Sequence, residues 1–114
     1  MNSYVASCQN KCKDIQQLVD KLAYFLEPQD YSIIDHWDAD LCAIGIGKPS
    51  DPRFLVYISV YGQKPGYYYF ECEISVTSGN YQVIDRGENV DFSSLVLIIK
   101  EHIDSHSVIQ PQPA

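Results

Sequence analysis

The chain has 114 residues, of which 46% are hydrophobic, with eight Lys or Arg against fifteen Asp or Glu for a formal charge of −7. One domain with a core of its own fits that length, and the composition is globular rather than disordered. The acidity argues against nucleic-acid binding, because neutralising phosphates requires a basic patch.

Met1 to Ser7 carry no basic residue and no signal-peptide h-region, and the longest wholly apolar run is Leu95 to Ile99. A bilayer-spanning helix needs about 18–20 such residues. The expectation is a cytoplasmic chain that does not engage a membrane, with Cys8, Cys12, Cys42 and Cys72 as thiols in periodic segments.

From about Val5 to Leu26, apolar residues recur at Cys8, Cys12, Ile15, Val19, Leu22 and Leu26. Those alternating steps of four and three predict a first helix, with Leu18 and Phe25 widening its stripe. Pro28 ends it. A strand over Tyr31–Trp37, a turn at Asp38-Ala39-Asp40 and a strand over Leu41–Ile46 follow. The stretch from Gly47 to Pro52 reads as a loop.

Phe54–Tyr61 and Tyr67–Val76 then form a hairpin around Gly62–Gly66. Alternation sets Phe54, Val56, Ile58 and Val60 on one face. Pairing Tyr61 with Tyr67 sets Phe54 opposite Ile74, Val56 opposite Cys72, Ile58 opposite Phe70 and Val60 opposite Tyr68, and a slip of one residue would break all four apolar matches. The other face then carries Tyr61–Tyr67, Ser59–Tyr69, Tyr57–Glu71 and Leu55–Glu73.

Gly79-Asn80 signals a turn before a fifth strand at Tyr81–Arg86, and Asp91 can cap a second helix over Phe92–Ile103. Phe92, Leu95, Val96, Ile99 and Ile103 share one face of it. The predicted architecture is an α+β two-layer sandwich: an antiparallel meander of about five strands, with an N-terminal and a C-terminal helix packed on one face. Residues 1–106 form a single domain and 107–114, with Pro111 and Pro113, a flexible tail. The sheet's second face is left to solvent or to a partner.

That second face supplies the candidate site: Tyr57, Tyr61, Tyr67, Tyr69, Glu71 and Glu73. Tyrosine offers large contact area at little rotamer cost, and carboxylates steer a cationic partner. Cross-strand tyrosines also stabilise hairpins, and acidic surfaces keep small proteins soluble. Charge is uneven along the chain: residues 1–26 hold three lysines against two aspartates, and the remainder five basic against thirteen acidic residues.

Catalytic and cofactor signatures are sparse. Gly45-Ile46-Gly47-Lys48 lacks the length and the Ser/Thr of a phosphate-binding loop, and neither a G-x-S-x-G elbow nor an H-E-x-x-H pair occurs. Asp35-His36-Trp37-Asp38-Ala39-Asp40 begins like a calcium loop without its glycine and closing glutamate, so capping of a turn is favoured there. Trp37 is expected at the core or its edge. Cys8/Cys12 and His102/His106 would make a zinc set only if the two helix ends met, and their spacing meets ligand rules only in part. Cys72 faces inward as an inert thiol. No cofactor, no metal and no enzymatic activity are expected.

In size, acidity and lack of catalytic motifs the chain is similar to small bacterial immunity proteins that neutralise toxic nucleases. The likeness is one of class and assigns no residues. It implies a non-catalytic module that caps a basic protein partner. Two alternatives stand beside it: an acidic secretion-type chaperone acting as a homodimer, and an enzyme or small-ligand domain with a pocket between helices and sheet.

Overall fold

The computed structural model describes residues 11–34, 40–77 and 80–108. Its elements in chain order are α1 (Lys13–Leu22), β1 (Ser32–Ile34), β2 (Ala43–Lys48), β3 (Asp51–Ser59), β4 (Tyr68–Thr77), β5 (Asn80–Val90) and α2 (Phe92–Val108). The strands form one antiparallel meander in the order β1-β2-β3-β4-β5. With a helix before and after the sheet, this is the α+β sandwich that the periodicities predict.

The hairpin register over Phe54–Ser59 is the expected one. Phe54 pairs with Ile74, Val56 with Cys72 and Ile58 with Phe70, while Leu55 opposes Glu73, Tyr57 opposes Glu71 and Ser59 opposes Tyr69. Even-numbered residues of β3 and β4 enter one core with Ile15, Leu18, Val19 and Leu22 of α1 and Leu95, Ile99 and Ile103 of α2. Both helices therefore cover the same face. The ladder stops at Ser59↔Tyr69, so the expected pairs Val60–Tyr68 and Tyr61–Tyr67 do not form. Val60 instead donates its N–H to the Cys42 carbonyl on the β2 side at 3.0 Å, and Tyr68 pairs with Val90 of β5.

α1 is shorter than the apolar spacing suggests. Cys12 is extended (φ −63°, ψ 161°) and precedes the first helical residue, Lys13. The reason is tertiary. Cys12 N–H donates to the Leu41 carbonyl at 2.7 Å, and Lys11 Nζ donates to the Asp40 carbonyl at 2.7 Å. These bonds hold the segment against the chain leading into β2 instead of in a helical turn. Val5 to Asn10 lie outside the described residues. At its other end α1 stops at Leu22, before Pro28 can act, and a tight turn carries Leu26 into the core. Phe25, expected in the buried stripe, is half exposed and rests edge-on against Phe92 at 5.4 Å.

Two boundaries in the middle of the chain also move. β2 begins at Ala43 and runs to Lys48, and β3 begins at Asp51, so the predicted loop shrinks to Pro49-Ser50 with a bulge between Gly47 and Lys48. Pro52 is accommodated because it sits beside that bulge, beyond the last β3–β4 pair. β1 covers only Ser32–Ile34 of the strand predicted over Tyr31–Trp37, and residues 35–39 lie outside the described residues. Tyr31 is buried and its hydroxyl donates to Asp104 Oδ2 at 2.5 Å, tying the approach to β1 to α2.

β5 is nearly twice the predicted length and is interrupted three times against β4. At one regular point Gly87 opposes Phe70. A Cβ on Gly87 would lie 2.7 Å from the Phe70 ring, so only glycine leaves room for that ring. α2 starts where expected. Asp91 Oδ1 accepts the Ser94 N–H at 2.8 Å, and that bond holds the carboxyl below its usual range. Asp91→Ala should lower the melting temperature by a few degrees, whereas Asp91→Ser, which can still cap, should recover most of the loss in the same calorimetric scan. The helix continues to Val108, past the predicted Ile103; residues 109–114 lie outside the described residues.

Candidate functional site

The side of the sheet away from the helices is built by odd-numbered residues of β3 and β4. Because Tyr57 opposes Glu71 and Ser59 opposes Tyr69, strand pairing alone gathers Tyr57, Tyr69 and Glu71. The two tyrosine rings meet edge to face, 6.3 Å between centroids and 74° between planes. The Tyr69 hydroxyl donates to Glu71 Oε2, and the Tyr57 hydroxyl donates to Asp40 Oδ2 at 3.4 Å. Asp40 also accepts the Cys42 N–H on Oδ1 at 3.0 Å, a local turn that fixes its carboxylate. Arg86 of β5 stands opposite Glu71 and completes the row.

Glu73 is the buried member, 9% exposed beside Leu55. Burial pushes its carboxyl up to about 7, and a hydrogen bond with Glu71 and that neighbour's charge push the same way. Glu73 therefore keeps its proton to higher pH than an exposed glutamate does. Both tyrosine hydroxyls titrate above their ordinary range: Tyr57 chiefly through burial, Tyr69 chiefly through its bond to Glu71, with Arg86 opposing. They remain neutral donors at any ordinary pH.

Tyr61 and Tyr67 lie apart from this cluster. They occupy the turn between β3 and β4 and are 80% and 40% exposed. Gly62 (φ 72°) and Gly66 (φ 81°) let that turn reverse. Asn89 pins it from β5: its Oδ1 accepts the Lys64 N–H at 2.8 Å, and its own N–H donates to Gln63 Oε1 at 2.6 Å. The two tyrosines are thus presented on a braced loop at the rim of the face.

Comparison with protein-family models, with curated proteins and with solved structures finds no match.

The sheet's outer face is not open throughout, contrary to the sequence expectation. Leu55, Ala43, Gly45 and Gly47 are buried there. Beyond Ala43, Gly45 and Gly47 leave β2 without outward side chains, and Ile34 of β1 fills the space, where a Cβ on Gly47 would collide with its Cδ1. The accessible part is the side toward β5, where Tyr69, Arg86, Gly87 and Glu88 line a hollow of about 510 Å³. Asp40 and Arg86 went unrecognised as members of the site. Asp40 carries only a turn signal, and the interruptions of β5 hide the pairing that sets Arg86 against Glu71.

Other chemistry-bearing residues are accounted for by packing. Cys72 is buried opposite Val56, and burial, with the charges of Asp85 and Glu73, pushes its thiol up to about 12. It carries no useful thiolate at neutral pH. His102 is buried, its Nε2 2.9 Å from the Glu73 carbonyl and its ring edge-on to Phe54 at 5.8 Å. That carbonyl accepts, so Nε2 is the donor. Cys12 lies beside Leu41, not beside His102, while Cys8 and the side chain of His106 lie outside the described residues. Among the described residues no group of three or more His, Cys, Asp or Glu is placed to hold a metal ion, and no helix is long and apolar enough to cross a membrane.

Proposed function

We propose that the protein is a non-catalytic binding module of the immunity or inhibitor type, acting in the cytoplasm, that caps a basic protein partner. The observation that carries this reading is the helix-free face on which Tyr57, Tyr69, Glu71 and Glu73 stand together in a chain of net charge −7. Its hydroxyls and carboxylates are fixed by one another and by Asp40, so little side-chain freedom is lost when a partner docks. Tyr61 and Tyr67 add exposed aromatic surface at the rim, where interface anchors are most often Tyr, Trp or Arg. The surplus of carboxylates speeds encounter with a cationic surface and makes it sensitive to salt.

The test is capture of partner by the tagged chain and by a variant carrying Tyr61→Ala, Tyr67→Ala, Tyr69→Ala and Glu71→Ala, checked for folding by circular dichroism. Recovery of a basic protein by the wild type, reduced by about tenfold or more in the variant and by added salt, supports the reading. Equal recovery by the variant removes this face as the interface. A partner of nuclease type would lose activity on stoichiometric addition of the wild-type chain. Sedimentation of the chain alone separates this from the homodimeric chaperone reading, which requires a concentration-independent dimer.

A further inference from the structure

Cys12 and Cys42 come from segments that periodicity alone keeps apart, one at the foot of α1 and one just ahead of β2. The fold joins them. Cys12 N–H donates to the carbonyl of Leu41, the residue before Cys42, at 2.7 Å. The planar peptide that follows Leu41 places that oxygen beside Cys42 Cα, so the Cα atoms of Cys12 and Cys42 stand within roughly 7 Å of each other. A disulfide spans about 4.4–6.8 Å. The side chains are neighbours as well, since the Cys12 thiol is the largest influence that raises the Cys42 thiol. Both residues are only half-buried, so a small oxidant can reach them, unlike Cys72 in the core.

We propose that Cys12 and Cys42 form a redox pair, which closes to a disulfide when the low-molecular-weight thiol pool becomes oxidised and so fastens the foot of α1 to the start of β2. The oxidant is a small disulfide such as oxidised glutathione. One cysteine thiolate attacks a sulfur of that disulfide, the glutathione S–S bond breaks, and a glutathione thiolate leaves and takes up a proton. The second cysteine thiolate then attacks the mixed disulfide and expels the other glutathione. Two thiols are oxidised, one small disulfide is reduced to two thiols, and no other reactant is needed.

The surroundings fit a clasp that rests open and closes under stress. The Cys42 thiol is pushed up by the neighbouring Cys12 thiol, by burial and by nearby Asp40 and Asp14, so it is mostly protonated at neutral pH and exchanges slowly. Lys11 Nζ on the Asp40 carbonyl and Gln16 Nε2 on the Lys11 carbonyl, each at 2.7 Å, hold the segment in place without the covalent bond. Closure ties a loop of roughly 30 residues containing α1 and β1 and restricts the unfolded chain. This inference is independent of what docks on the sheet.

The experiment uses the full chain, and a Cys8→Ser/Cys72→Ser variant that keeps only this pair. Both are equilibrated at a series of reduced-to-oxidised glutathione ratios, in buffer and in concentrated urea. Alkylation and intact-mass measurement then count thiols, and peptide mapping locates any bond. The expected product is a Cys12–Cys42 disulfide, lost in Cys12→Ser and Cys42→Ser, with a melting temperature several degrees above the reduced form. Its midpoint should fall at a glutathione ratio about tenfold or more on the reducing side of the midpoint in urea, because the fold raises the effective concentration of one thiol at the other. A midpoint equal to that in urea, or a full chain that bonds Cys8 instead, overturns the proposal.

Discussion

Phe70→Ala and Ile58→Ala should each cost about 3–5 kcal/mol in urea or thermal unfolding, the range for deleting large side chains from a close-packed core. Ile58 is fully buried and Phe70 is 4% exposed, opposite each other in the hairpin and between the two helices. Phe70 also covers the space that Gly87 leaves on β5, so its removal opens a cavity reaching the sheet's edge strand. Tyr69→Ala, one residue away on the other face, should cost only about 1–2 kcal/mol, the scale of one aromatic edge contact and one hydroxyl bond. Equal losses at positions 69 and 70 would mean that the two faces are not divided as described.

Glu73→Gln should raise stability at neutral and alkaline pH and change it little near pH 4. The Glu73 carboxyl is raised to about 7 in the fold, from an ordinary value of 4.5. Between those two values the folded state binds a proton that the unfolded state has released. Stability therefore falls as pH rises from about 4.5 to about 7 and stays low above it. The size of the effect is about 3 kcal/mol, because the carboxyl rises from 4.5 to about 7 and each tenfold change in proton affinity on folding is worth about 1.4 kcal/mol. Glutamine keeps the shape and a hydrogen bond to Glu71 without the buried charge. Urea unfolding of both proteins at pH 5 and pH 8 reads the difference. Parallel curves at the two values would show that Glu73 is not desolvated. Asp51 and Asp91, both held low by hydrogen bonds, run the other way and are common to both proteins, so they cancel in the comparison.

A partner that places a Lys or Arg beside Glu73 would draw its proton off, since opposite charge favours the ionised form. Docking of the proposed kind should then release protons near pH 7, measurable as a buffer-dependent binding enthalpy. That links the stability measurement to the functional reading through one side chain.

Strict alternation in Phe54–Val60, with its mirror in Tyr68–Ile74, determined from the sequence alone which side of the hairpin meets the helices. A displacement by one residue would turn Ile58 and Phe70 to water. The same parity placed Tyr57, Tyr69, Glu71 and Glu73 on the far side, and local cap chemistry set the start of α2 at Asp91. Contacts between segments distant in the chain carry no periodic signal, and those were left to the tertiary structure. Lys11 and Cys12 are drawn out of the helix by carbonyls of residues 40 and 41, Arg86 reaches Glu71 only after β5 has bulged, and Ile34 closes over glycines that β2 leaves bare. Burial of repeating apolar side chains is written into local spacing, but a backbone group satisfied some 30 residues away, or a gap filled by another strand, exists only once the chain has folded.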